Sequence, residues 1–213
     1  MIFQKEFWEE NKSRRSPDHC VIETFAKSKI DHICRYAKID KTAKLLDVGC
    51  GNGFFSYYFS MISNTIGLDY SGYMLSINPC ERLIQGSAYL LPFKDCVFDT
   101  VFCSSLLHHV KEPNRVVAEM KRVSNRYVVL FEPNRDNPLV FLFSAMAKEE
   151  RIALKFSKNY LKTIAEKNGL KVIEACSFGC IAPNKTPKSL IRVFKLFDRT
   201  MPFGLDNLII CQK

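Results

Sequence analysis

The sequence predicts an α/β fold: a mostly parallel sheet covered by helices on both faces. Two observations lead to this. Short apolar runs alternate with amphipathic helical stretches from residue 44 onward, which is the pattern of strand–helix–strand units. A glycine-rich turn, Gly49-Cys50-Gly51-Asn52-Gly53, follows the first apolar run, where such sheets take their ligands.

The elements read in order. Ile22, Phe25, Ala26, Ile30, Ile33, Cys34 and Ala37 recur at helical spacing over 22–37. Lys44–Val48 is a short strand. Phe54–Ile62 is helical, with Phe55, Tyr58, Phe59 and Ile62 on one side. Thr65–Leu68 is a second strand, and Ser71 caps a short helix that ends before Pro79. Arg82–Ile84 is a third strand and Phe98–Cys103 a fourth. Pro113 opens a helix to Val123, since proline suits a first helical turn. Tyr127–Phe131 is a buried strand. Ser157 opens a helix that Gly169 closes, and Leu170–Ala175 and Leu208–Cys211 are the last strands.

Composition bounds the class. The 213 residues are 47% hydrophobic and 25% charged, the profile of a globular protein with a sizeable core. No apolar run is long enough to cross a bilayer, and charges interrupt residues 1–10 where a signal peptide would be apolar. A cytoplasmic protein is expected. Nine cysteines include no Cys-x-x-Cys pair, so reduced thiols and no metal site are expected. The net charge of +9 suits an anionic partner without naming one.

The glycine turn excludes one ligand class. The dinucleotide fingerprint needs Gly-x-Gly-x-x-Gly. Counted from Gly49 the third glycine would stand at Phe54, and from Gly51 at Ser56. The pattern present is Gly-x-Gly-x-Gly, preceded by Asp47, whose carboxylate suits a ligand ammonium. Asp69 ends the second strand and can accept a pair of ribose hydroxyls.

Four segments carry a resemblance: Leu46–Gly53; Gly67-Leu68-Asp69-Tyr70-Ser71; Gly86–Phe93 with Phe98-Asp99; and Leu107-His108-His109-Val110. In this order and spacing the chain resembles the class I S-adenosylmethionine-dependent methyltransferases, in particular the ubiquinone/menaquinone-biosynthesis type (methyltransferase type 11). The resemblance implies a Rossmann-like three-layer sandwich, with a seven-stranded, mostly parallel sheet whose last strand is antiparallel. It implies S-adenosylmethionine as cofactor and S-adenosylhomocysteine as product.

It also implies roles. Gly49 offers its carbonyl to the ammonium, with Asp47, Cys50, Gly51 and Gly53 completing the turn. Asp69 holds the ribose, Tyr70 and Ala88 border the adenine, and Ser104 follows the fourth strand beside the methyl. The chain departs from the pattern at Ser87, where the family usually carries an acid. His108 and His109 are the candidate acid–base groups, and the family places a histidine at the position of His109.

The acceptor is open at this level. Ser104-Ser105-Leu106-Leu107 replaces the Asn/Asp-Pro-Pro-aromatic stretch of nucleic-acid amino methyltransferases, so a small-molecule acceptor, apolar or lipid-like, is expected over tRNA. A cofactor-binding protein of the same fold without transfer is the other alternative. Residues 1–40 are expected to form an N-terminal helical lid, with Phe3, Phe7 and Trp8 over the cofactor. The domain 41–213 carries inserted caps at about 135–156 and 181–204. The apolar stretch Pro138–Ala147 reads equally as a pocket cover or as a core helix on the sheet. Lys188, Arg192, Lys195 and Arg199 line one face of a helix whose other face holds Ile191, Phe194 and Phe197. A core-packed helix with a solvated face is the first reading of it, and contact with an anionic membrane surface the second.

Overall fold

The computed structural model describes residues 14–213. The strands are β1 (Lys44–Val48), β2 (Asn64–Asp69), β3 (Leu83–Gln85), β4 (Phe98–Ser104), β5 (Ser124–Pro133), β6 (Lys171–Phe178) and β7 (Asp206–Gln212). They form one sheet in the order β3-β2-β1-β4-β5-β7-β6. All neighbouring pairs from β3 to β5 are parallel, and β7 runs antiparallel to both β5 and β6. This is the seven-stranded arrangement that the sequence predicts. The chain reverses direction in strand order at β1, so the loops after β1 and β4 diverge and leave a crevice between them.

The helices are α1 (Cys20–Ile33), α2 (Ser56–Ser60), α3 (Gly72–Ser76), α4 (Pro113–Val123), α5 (Pro138–Met146), α6 (Lys158–Lys167) and α7 (Ile191–Phe197). Their starts follow local chemistry. The Ser71 hydroxyl accepts from the Met74 N–H and the Ser157 hydroxyl from the Tyr160 N–H, each satisfying an orphan donor of a first turn. Gly169 adopts φ +67° just past α6, a conformation that glycine takes at least cost.

Strand alternation divides the core in two. Leu46, Val101, Val128 and Ile209 pack under α4 and α6. Leu45, Phe102, Val129 and Ile210, each one residue out of step, pack under α1 and α2. Phe55 is the hinge of the second core, 4.9 Å from Phe102 and 5.5 Å from Phe131 between ring centroids.

The two inserted segments differ from the core-helix reading. Only Ser144 of α5 is buried, and no residue of α7 is. Ile191 and Phe194 lean on the second core, but Phe197, predicted to face inward, is exposed. Periodicity does not distinguish a helix that packs on a sheet from one that covers a cleft, because both need one apolar side.

One buried ion pair ties the 181–204 segment to α1. Lys29 donates to both carboxylate oxygens of Asp198 at 2.7 Å, and both side chains are fully buried. The Lys29 ammonium sits 4.2 Å from the Phe25 ring centroid. Replacing Lys29 with Met leaves a buried carboxylate without its counter-charge, which costs about 3–5 kcal/mol. Urea unfolding of Lys29→Met against wild type measures this; a loss under about 1 kcal/mol would mean that the pair is solvated.

Candidate functional site

The carboxyl ends of the parallel strands open into one cleft of ≈ 1570 Å³. Asp47, Gly49, Cys50, Gly51, Asp69 and Tyr70 line one end of it. Ser87, Ala88, Ser104, His108 and His109 continue the wall. Of the described residues singled out from the sequence for the site, only Gly53 is off this wall. Its φ is +95°, and a Cβ there would fall 2.6 Å from Asn78 Oδ1. Gly53 therefore serves the turn, while Asn78 braces the loop by donating to the Gly51 carbonyl at 2.9 Å.

The glycine loop hangs on β2. The N–H groups of Gly49 and Cys50 both donate to the Leu68 carbonyl, at 2.7 and 3.1 Å. Asp69 closes the arrangement: its two carboxylate oxygens accept from the Gly51 and Ser71 N–H groups, each at 2.8 Å. The Cys50 side chain is turned from the cleft towards Gly67 and Asn78, so only its backbone faces the site. Tyr70 is half in solvent at the rim. The Ser87 hydroxyl accepts from the Tyr89 N–H at 3.2 Å.

Burial sets the charge states. Asp47 is almost wholly buried and its Oδ2 has no hydrogen-bond partner among the described residues. Burial pushes its carboxyl up to about 7, which nearby Ser56 only partly offsets. Burial also raises Asp69, against the pull of the Ser71 and Gly51 N–H groups and the Arg14 charge.

At the other end, Glu132 ends β5 with no exposure. Its Oε1 accepts from Leu106 N–H at 2.8 Å and Leu107 N–H at 2.7 Å. Its Oε2 lies 2.6 Å from His108 Nδ1, and His108 Nε2 lies 3.3 Å from Glu150. Burial alone would lower the His108 pKa, but the carboxylates of Glu132 and then Glu150 overcome it and raise it to about 9. The adjacent His109 is driven the other way, well below 6.5, first by burial and then by the charges of His108 and Arg14. The two rings are 3.9 Å apart. His108, His109 and Glu150 bring their ligand-type atoms within 4.8 Å of one another, a grouping that Cys-x-x-Cys spacing does not mark.

Sequence reasoning missed Arg14, Glu132, Glu150 and Asn78. Glu132 had a signal: an acid closing an apolar parallel strand, as Asp47 and Asp69 do. The others depend on long-range packing. The Asn52 side chain holds the Arg15 carbonyl at 2.9 Å, and the Tyr58 hydroxyl holds that of Pro17 at 2.6 Å. These bonds bring the stretch before α1 to the glycine loop. Phe3, Phe7 and Trp8 lie outside the described residues.

A glycine loop after β1, an acid ending β2 and an antiparallel β7 together define the class I methyltransferase fold. Residues 46–130 match the family model described as a methyltransferase domain. A phosphatidylethanolamine N-methyltransferase of Cereibacter sphaeroides is 31% identical over 145 residues, covering 62% of this chain and 71% of that protein. A demethylmenaquinone methyltransferase of Renibacterium salmoninarum is 38% identical over 38% of this chain and 36% of its own length. Among solved structures, a SAM-dependent methyltransferase of Thermotoga maritima superposes with TM-score 0.70 at 18% identity, covering 100% of this chain and 96% of that one. The chain belongs to the S-adenosylmethionine-dependent methyltransferases, and the cofactor of this family is S-adenosylmethionine.

The histidine assignment is testable. A folded-state pKa of about 9 for His108, against about 6.5 unfolded, gives stability that is complete below pH 6.5 and lost as pH rises through about 9. Nitrogen-15 NMR of the imidazoles should show His108 cationic and His109 neutral at pH 7.5. Glu132→Gln should lower the His108 value and flatten the loss of stability between pH 7 and 9.5. A neutral His108 at pH 7.5 would contradict the assignment.

Proposed function

We propose that this enzyme methylates a small apolar or lipid-like acceptor bound beside His108 and His109, under α5. One observation carries the reading. The cleft that starts at the glycine loop continues past both histidines to an apolar wall of Leu139, Val140, Phe143, Ile152, Phe194 and Phe203. Its volume exceeds the usual ≈ 300–1,000 Å³ of a single small-molecule site, so it has room for cofactor and acceptor together. The relatives named for a phospholipid and for a quinone support the same acceptor class.

The residues fit the cofactor. The unpartnered Oδ2 of Asp47 is a buried acceptor in need of a donor, and with the Gly49 carbonyl it suits the ammonium. Asp69 keeps lone pairs for the ribose hydroxyls beyond those its two N–H bonds use. Tyr70 and Ala88 flank the adenine. The Ser87 hydroxyl accepts one bond from Tyr89 N–H and keeps a second lone pair and its proton for the adenine edge. Gly51, Cys50 and Ser104 contribute wall and backbone, with Gly53 supporting the turn from behind. When bound, S-adenosylmethionine supplies an electrophilic methyl on a sulfonium.

The two histidines divide the labour. Neutral His109 can take a proton from an acceptor O–H or N–H. Cationic His108, held between Glu132 and Glu150, keeps His109 neutral and fixes the turn that carries it. The segments 135–156 and 181–204 act as caps that keep water from the acceptor, and positioning in a dry site supplies much of the rate.

Two outcomes follow. Because the cofactor ammonium selects ionised Asp47, binding should tighten as pH rises through about 7, with proton release. Titration calorimetry in buffers of different ionisation enthalpy reads both. Asp47→Asn should weaken binding by roughly 10- to 100-fold, as loss of a charged hydrogen bond does, and abolish the pH dependence; binding that is flat with pH would refute this role.

His109→Ala should lower turnover by about 100-fold or more with cofactor affinity unchanged. Transfer of tritiated methyl into the solvent-extractable lipid fraction of a cell extract tests the acceptor class, and label confined to the aqueous fraction would reject it.

A further inference from the structure

Most of the large apolar side chains exposed among the described residues lie in the two cap segments. On α5, Leu139 is 72% exposed, Leu142 58% and Met146 75%, with Phe141 and Phe143 more than half exposed. A helix that is apolar all round belongs inside a core or in a hydrocarbon phase, yet α5 buries only Ser144. The second segment repeats this. Val193 and Leu196 of α7 are 56% and 71% exposed, and Phe203 is 65% exposed.

The two segments are neighbours. Asn137, the cap of α5, donates to the Phe203 carbonyl at 2.6 Å. Leu139 and Phe143 of α5 face Phe194 of α7 across the same cleft. Both apolar segments therefore adjoin the cleft. Their flank is basic: Lys185, Lys188, Arg192, Lys195 and Arg199 are all exposed. The acid within the segment, Asp198, is buried against Lys29, so its charge does not offset them at the surface.

Apolar side chains flanked by exposed Lys and Arg are the kind of surface that binds an interface between anionic headgroups and acyl chains. We propose that α5, α7 and Phe203 form a docking face for an anionic bilayer, with the cleft mouth opening into it. Binding to the membrane does not depend on the acceptor reading. If both hold, an apolar acceptor enters the cleft sideways from the bilayer without crossing water.

The test is co-sedimentation of the full chain with vesicles of phosphatidylcholine alone and of phosphatidylcholine with 30% phosphatidylglycerol. Binding to the anionic vesicles only is expected, falling as salt rises. Leu142→Asp with Met146→Asp, off the cleft wall, should abolish it. Arg192→Glu with Lys195→Glu should weaken it by more than tenfold, at about fivefold per basic charge lost. Unchanged cofactor binding and thermal unfolding would show that each variant is folded. No sedimentation at low salt overturns the proposal. So does sedimentation that ignores the α5 variants, or a dimer in analytical ultracentrifugation that they dissolve, which would make the face a contact between copies. None of these results bears on methyl transfer, which the tritium assay reads separately.

Discussion

The buried carboxylate of Glu132 holds the site together. It stands at the end of β5 with no solvent of its own, so both of its oxygens must be answered by protein. Leu106 N–H, Leu107 N–H and the His108 ring answer them. That pins the loop after β4, which leaves its strand through Ser105 at φ +49°, a conformation held in place by the bond from Ser105 N–H to the Phe131 carbonyl at 2.8 Å. The pinned Leu106 then rests on the glycine loop. A Cβ at Gly49 would fall 3.0 Å from Leu106 Cδ1, so the missing side chain admits Leu106 as well as a ligand. One carboxylate thus sets the spacing between the cofactor loop and the histidine turn.

Charges of both signs line the cleft. The chain carries a net +9, yet Asp47, Asp69, Glu150 and Asp206 line the cleft, and Glu132 backs it. Glu112 lines it too, as do Arg14, Lys111, Arg115, Lys185 and His108, and Lys29 lies beneath the surface. The buried acids Asp47 and Asp69 stand at the glycine loop, while exposed Lys and Arg side chains carry much of the basic surplus. Net charge speaks to partners and solubility rather than to fold, and here it speaks only of the surface.

The strands and their caps were readable because local chemistry decides them. Pro113, Ser71, Ser157 and Gly169 each act within one turn. The glycine loop was readable for the same reason: positive φ at Gly49, Gly51 and Gly53 is a local demand. What the sequence did not disclose is long-range. Glu132 looks like the end of any strand until His108 is known to face it. Arg14 reaches Asp69 and Glu150 only because Tyr58 and Asn52 hold the chain before α1. The apolar α5 carries the same pattern whether it packs on a sheet or stands over a cleft, and only its position past the end of β5, along the cleft, separates the two.

His108 and His109 show how far position overrides residue type. They are adjacent in one tight turn and have the same intrinsic pKa. One ring has a carboxylate on each nitrogen, Glu132 behind and Glu150 in front. The other lies within reach of a cation on two sides, His108 and Arg14. Each state reinforces the next: the carboxylates make His108 a cation, and that cation keeps His109 neutral. Two titratable groups whose surroundings drive them apart make an acid and a base at one pH. The sequence supplied two identical side chains, and the difference between them comes from β5 and from the segment after α5 that carries Glu150.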